Sequence, residues 1–186
     1  MKRSAGVLMP ISSLPSKYGI GTLGKGARDF IDFLEKSGQT YWQVLPIGPT
    51  GYGDSPYQSF SSNAGNPYFI DLDDLCDEGY LEKEEYVNEN YGTDVNCVDY
   101  AQIYNTRFTV LRKAVERLSA VQPEDYLSFL RDNAYWLNDY ALFMAEKDDH
   151  KGQAYTTWEE DIRKHDTKTL ENERFRLQKN VEFYLG

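Results

Sequence analysis

The stretch YWQVLPIGPTGYGDSPYQSFSSNAGNPYFI, residues 41–70, sets the terms on which the rest of the chain is read. It opens with an apolar run rich in β-formers, residues 41–45, and stops at Pro46, where a strand loses the donor its ladder needs. A loop of Gly, Pro, Ser, Asn and Tyr follows, and a second short apolar run, residues 68–70, closes it. A strand that opens into a long loop dense in special backbone residues is a rigid support presenting a functional segment. The loop holds one carboxylate, Asp54, the tyrosines Tyr52 and Tyr57 with Tyr68 at its close, the amide of Gln58 and several hydroxyls. Aromatic faces beside hydrogen-bonding tips suit a polar, flat-faced ligand such as a sugar.

Upstream, residues 6–11 (GVLMPI) read as a buried strand, followed over 12–24 by a loop again rich in Gly, Ser and Pro. Residues 26–37 (GARDFIDFLEKS) predict an amphipathic helix. Ala27, Phe30, Ile31, Phe33 and Leu34 share one side, and Gly38 sits just past its end. Strand, helix, strand over some forty residues is a βαβ unit. The loops 12–24 and 48–67 then leave the C-terminal ends of parallel strands on one face, where α/β folds bind ligands. Trp42, inside the second strand, is assigned to the core.

Downstream, residues 72–80 and 81–89 read as short acidic helices or turns, and 88–96 as a polar connector. A helix is predicted over 104–118 with Phe108, Leu111, Val115 and Leu118 on its buried side. A longer one, 123–148, offers Tyr126, Phe129, Leu130, Leu137, Tyr140, Ala141 and Met144, with Tyr135 and Trp136 thickening the stripe. Residues 153–168 read as a loop with one turn. A last helix from Thr169 to the end carries Phe175, Val181 and Leu185 on its apolar side.

The chain's 186 residues suffice for one domain with a sizeable core. Its formal charge of −10 argues against nucleic acid or an anionic membrane as the main partner, since both need a basic footprint. No stretch approaches the roughly 20 apolar residues of a membrane span, and Pro10 cuts the N-terminal apolar run too short for a secretory signal. Two cysteines, Cys76 and Cys97, read as reduced thiols of a cytoplasmic protein. His150 and His165 stand in polar surroundings with no ligand set at metal spacing, so both read as surface residues. No metal or organic cofactor is implied. Two parallel strands with one crossover helix close no sheet. The layout is either a small two-stranded α+β domain or the start of something larger, and the second reading is preferred.

The long motifs carry a resemblance. YWQVLPIGPTGYGDSPYQS with SFSSNAGNPYFIDL, the upstream GVLMPISSLPSKYGIGTLG, and the later VDYAQIYNTRF and WLNDYALFMAEKDDHKGQAYTTWEEDIR resemble the N-terminal part of the 4-alpha-glucanotransferases. These are the amylomaltases of glycoside hydrolase family 77. The resemblance covers nearly the whole chain, in order. It implies an α/β fold, the start of a (β/α)₈ TIM barrel whose first two strands lie in residues 1–70. On that reading residues 71–168 form a mostly helical inserted subdomain, and 169–186 a helix leading toward a third strand. The family's activity is a retaining transfer of α-1,4-glucan segments, with α-1,4-glucans and maltooligosaccharides as partners. One carboxylate attacks the anomeric carbon, a second protonates the leaving oxygen, and another glucan's 4-hydroxyl intercepts the glycosyl-enzyme.

By the same resemblance both catalytic carboxylates lie beyond residue 186, so no catalytic residue is assigned here. Tyr57 is expected to face the sugar near the cleavage point, with Ser55 and Gln58 as weaker contacts. Asp54 is expected first to order a turn and second to touch sugar. Tyr52 and Tyr104 match tyrosines that form a secondary glucan site in some members. The competing readings are a stand-alone glucan-binding module and a fragment without function. Both would leave an apolar strand edge uncovered, a liability that independent domains avoid. Composition and pattern leave the oligomeric state open.

Overall fold

Two short runs of β-formers, each cut off by a proline, form the sheet. In the computed structural model, which describes residues 3–51, 53–94 and 96–186, β1 spans Gly6–Leu8 and β2 spans Tyr41–Gln43. They pair in parallel, with Gly6 opposite Tyr41, Val7 opposite Trp42 and Leu8 opposite Gln43. Both are shorter than the apolar runs that hold them. After one further bond, from Met9 N–H to the Gln43 carbonyl (3.0 Å), Pro10 has no donor and the chain turns into a 3₁₀ segment over Ile11–Ser13.

The crossover helix α1, Lys25–Lys36, ends as its sequence predicts. Gly38 adopts φ +68°, the left-handed conformation that costs glycine nothing. Its N–H donates to the Glu35 carbonyl, and that of Gln39 to Leu34. Ala27 packs with Ile11 and Leu14, and Met9, Phe30, Trp42 and Phe69 close round them. Trp42 is half-buried there, edge-on to Phe30 at 5.1 Å, its indole N–H donating to the Met9 carbonyl. Ile31 and Phe33, expected on the same buried side, are exposed, because a sheet two strands wide covers only the narrow stripe of Ala27, Phe30 and Leu34. The two-residue alternation of strands sets Leu8 and Tyr41 on one face of the sheet, and both are exposed.

The run at 68–70 does not extend as a strand. Asn66 accepts the Tyr68 N–H on its side-chain oxygen, and Pro67 starts a 3₁₀ turn, Pro67–Phe69. Next comes α2, Leu72–Asp77, capped by Asp71, whose Oδ1 accepts from the N–H groups of Asp73 and Asp74. The acidic stretch after it holds a 3₁₀ turn, Lys83–Glu85.

Helix α3, Tyr100–Val121, begins a turn earlier than expected, and α4 runs over Glu124–Asp149 with Pro123 as its N-cap. The chain divides into two compact units, Met1–Ala114 and Val115–Gly186, the boundary falling within α3. In the second unit α4 buries Ala141, Leu142 and Ala145 against Leu177 and Val181. The segment expected as a loop is more ordered, with a 3₁₀ turn at Tyr155–Thr157 and a short α5 at Glu160–Arg163. Trp158 between them is buried. The single last helix is in fact two, α6 (Thr167–Arg176) and α7 (Gln178–Leu185), broken at Leu177, which turns into the core. Phe175, expected on the apolar side, lies in α6 ahead of the break and is 82% exposed. Phe129 and Tyr135 of α4 are likewise exposed. Among the described residues no helix is long and apolar enough to cross a membrane.

Candidate functional site

The 46–67 loop is built from two consecutive turns. In the first, Gly53 (φ +95°) and Asp54 (φ +53°) both occupy the left-handed region, and the Asp54 N–H donates to the Gly51 carbonyl at 3.1 Å. Asp is among the few residues that tolerate this conformation, so Asp54 shapes the turn. Ser55-Pro56-Tyr57-Gln58 makes the next, the Gln58 N–H returning to the Ser55 carbonyl at 3.1 Å. Proline at its second position presets the backbone. Tyr57 follows it, 74% exposed. Gln58 is exposed and Ser55 half-buried.

Further along, Ser59 donates through Oγ to the Ser61 carbonyl (2.8 Å), and Ser61 Oγ accepts the Ala64 N–H (3.0 Å). Asn66 N–H donates to the Ile47 carbonyl at 2.8 Å and clasps the loop's base. Between the two arms lies an open cleft of about 320 Å³, lined by residues 46–48, Ser59 and residues 61–65. None of Asp54, Ser55, Tyr57 and Gln58 lines it.

Asp54 is half-buried instead. Burial raises its carboxyl pKa, and the Thr50 hydroxyl opposes this in part, short of hydrogen-bond geometry. Its charge is felt at Tyr68 and Tyr100, whose phenols are pushed up by burial first and by Asp54 second. Tyr68 lies 6.1 Å from the Tyr100 ring and 5.9 Å edge-on from Phe108, and Tyr104 lies 5.1 Å from Phe108. Tyr104 is 53% exposed. Tyr68, Tyr100, Tyr104 and Phe108 thus form one aromatic assembly, and the Asp54 charge bears on two of its phenols. Tyr52 lies outside the described residues.

The two decorated loops leave the C-terminal ends of parallel strands, and the first touches the segment that closes the second. Leu23 N–H donates to the Phe69 carbonyl (2.9 Å), and the Thr22 hydroxyl donates to Asp71. Gly19, with φ +79°, passes so near Tyr91 and Ile103 that a Cβ would collide with both. Beneath them lies Arg107, fully buried, which pattern reading overlooked. Its guanidinium donates to the carbonyls of Tyr18 (3.5 Å) and Ile70. Burial lowers its pKa to about 10, which leaves it charged at neutral pH. Its spacing was a usable signal, since Ile103, Arg107, Val110, Leu111 and Ala114 form one buried helical stripe.

Among the described residues the one grouping with metal-ligand types is Glu146, Asp149 and His150 in the second unit. The Arg176 guanidinium already lies 2.8 Å from Asp149 and serves as its cation. His150 is no surface residue, against expectation. Its side chain is 15% exposed and stacks on Trp158 at 4.8 Å. His165 is exposed.

Residues 9–185 match the family model of the 4-alpha-glucanotransferases, glycoside hydrolase family 77. The chain belongs to the 4-alpha-glucanotransferase family. Within it, the chain is 46% identical over 176 residues to the 4-alpha-glucanotransferase of Clostridium butyricum, covering 95% of the chain and 36% of that protein. The Thermus thermophilus 4-alpha-glucanotransferase is 44% identical over 188 residues, with 99% and 37% covered. The solved amylomaltase from Streptococcus agalactiae in complex with acarbose superposes with a TM-score of 0.93 at 40% identity, over 99% of the chain and 38% of that one. The chain thus spans little more than a third of the length of the 4-alpha-glucanotransferases it matches.

Proposed function

We propose that this chain is the N-terminal portion of a 4-alpha-glucanotransferase that transfers α-1,4-glucan segments to another glucan's 4-hydroxyl by retaining double displacement. The enzyme would be cytoplasmic and act on α-1,4-glucans and maltooligosaccharides. The reading rests on one observation above all, the 0.93 TM-score over 99% of the chain to an amylomaltase that holds acarbose. In this reading β1 and β2 are the first two strands of a (β/α)₈ barrel, residues 71–168 an inserted helical subdomain and 169–186 a lead toward a third strand. The parallel pairing of β1 and β2 and the exposed apolar residues Leu8 and Tyr41 support it, since barrel strands are covered on both faces.

The 41–70 loop then forms one wall of the glucan cleft. Tyr57 stacks on a pyranose ring, with Ser55 and Gln58 as hydrogen-bonding neighbours and Asp54 ordering the turn beneath it. Tyr52 and Tyr104 form a secondary glucan contact. The attacking and protonating carboxylates come from chain beyond residue 186, placed about 5 Å apart across the scissile bond.

The test is disproportionation of maltotriose. The 186-residue chain alone is expected to release no glucose and build no longer maltooligosaccharides. The enzyme extended through the reading frame downstream is expected to do both. Turnover by a clean preparation of the short chain would place the catalytic carboxylates within it and overturn the assignment.

A further inference from the structure

Residues 146–150, EKDDH, place Glu146, Asp149 and His150 three and four residues apart, on one side of the last turn of α4. Glu146 follows Leu142 and Ala145 in the buried stripe and is only 1% exposed. Neither of its carboxylate oxygens has a hydrogen-bond donor. The two cations nearest it are engaged elsewhere. Arg176 of α6 donates through Nε to Glu173 at 2.6 Å and through a terminal nitrogen to Asp149 at 2.8 Å, and stays 3.9 Å from Glu146. His150 gives Nδ1 to the Glu146 main-chain carbonyl and Nε2 to Glu159, both at 2.8 Å, and stays 3.5 Å from the Glu146 carboxyl. Helix α7 meets α4 through Leu177, Val181 and the Tyr184 hydroxyl, which donates to Asp148.

An ionised carboxylate buried without donors is costly, and such a group commonly neutralises itself by taking up a proton. Glu173 and Glu146 flank one terminal nitrogen of Arg176, at 2.5 Å and 3.9 Å, and a proton between two carboxyls supplies the hydrogen bond that two anions cannot make. We propose that Glu146 and Glu173 share a proton that fastens α4 and α6 together, and that losing it loosens this junction as a pH-sensitive clasp. Burial first, then the charge of Glu173, raises the Glu146 pKa from 4.5 to about 7, with Arg176 and His150 opposing. Burial disfavours the His150 proton, but the bonds to Glu159 and to the Glu146 carbonyl outweigh it and raise that pKa as well.

Both shifts have one sign. A group with a raised folded-state pKa adds stability that is complete below its unfolded pKa and is lost as pH rises through the folded one. For Glu146 the loss runs from pH 4.5 to about 7. His150 extends it upward from 6.5. The depressed carboxylates Asp74, Asp149, Glu159 and Asp166 act in a separate, more acidic window.

The experiment is thermal unfolding of the 186-residue chain between about pH 5 and about pH 8.5, with Glu146→Gln and Glu173→Gln beside the unchanged protein. Glutamine keeps the shape and neutrality of the protonated acid. Melting of the unchanged chain is expected to fall steadily toward pH 7, and each variant to flatten that slope and melt higher than the parent at alkaline pH. Parallel slopes in all three would overturn the proposal. If a variant fails to fold, carboxyl-carbon NMR titration of the unchanged chain decides instead. A Glu146 midpoint near 7 supports the shared proton, and one near 4.5 refutes it. Added Zn²⁺ is expected to leave melting unchanged, and a rise that Glu146→Gln abolishes would make this a cation site.

Discussion

Asp54 and Tyr57 lie three residues apart and owe their roles to different causes. For Asp54 the backbone is decisive. At φ +53° a residue with an ordinary Cβ pays roughly 1–2 kcal/mol that Asp lessens and Gly avoids. Asp54→Ala is therefore expected to destabilise the chain by about 1 kcal/mol in urea unfolding while Asp54→Gly stays near neutral. Equal losses from both would tie its worth to the carboxylate. For Tyr57 the side chain is decisive, because it stands at the tip of a proline-set turn, open to solvent. In the full-length enzyme Tyr57→Ala is expected to cut kcat/KM for maltotriose by roughly a hundredfold, about 2.7 kcal/mol, with thermal stability unchanged. Near-normal turnover would refute the proposed sugar contact of Tyr57. The turn was legible in the sequence, since Gly-Asp-Ser-Pro has a backbone reason at each place. The influence of the Asp54 charge on Tyr68 and Tyr100 was not, because those rings arrive from further along the chain.

At the scale of elements, α3 organises the first unit. Its outer side carries Tyr104, and its buried stripe carries Arg107, which holds Tyr18 in one loop and Ile70 at the end of the other. Arg107→Ala opens a cavity and strips two carbonyls of their donor. It is expected to cost about 3 kcal/mol in denaturant unfolding. If the loss were below about 0.5 kcal/mol, the guanidinium would be incidental to the loops' placement. Helix periodicity located α3 and α4 well, and it located α1 with its glycine end. It failed for the C-terminal helix, where Thr167–Arg176 and Gln178–Leu185 each continue a helical pattern. The break at Leu177 comes from the need to bury that side chain beside Ala141, Leu142 and Ala145.

At the scale of the whole molecule, the uncovered sheet is the main consequence. Leu8 and Tyr41 face solvent, with Val44 and Ile47 exposed just beyond β2, and an uncovered apolar strand invites pairing with another chain. The isolated chain is expected to self-associate at micromolar concentration by light scattering. The double substitution Leu8→Lys, Tyr41→Lys is expected to reduce this with far-UV circular dichroism unchanged. Persistent association of that variant would point to another surface, such as the one bearing Phe175. The proposed clasp in the second unit gives the molecule a stability that weakens as pH rises through neutrality, in a region distant in sequence from the 46–67 loop.

Taken alone, the sequence determined the local grammar and the kinship. Pro10 ends the ladder of the first strand, Gly38 ends α1, Asp54 suits its left-handed turn, and the long motifs around GYGDSPYQ carry the family. Each of these depends on neighbours a few residues away or on the order of residues itself. Only the tertiary structure decided which sides are covered. Ile31, Phe33, Phe129, Tyr135 and Phe175 look like core and are exposed, while Arg107 and Glu146 look like surface and are buried. Periodicity records which residues share a side of a helix. It carries no information on what packs against that side, and burial, with every pKa shift that follows from it, is settled by that partner.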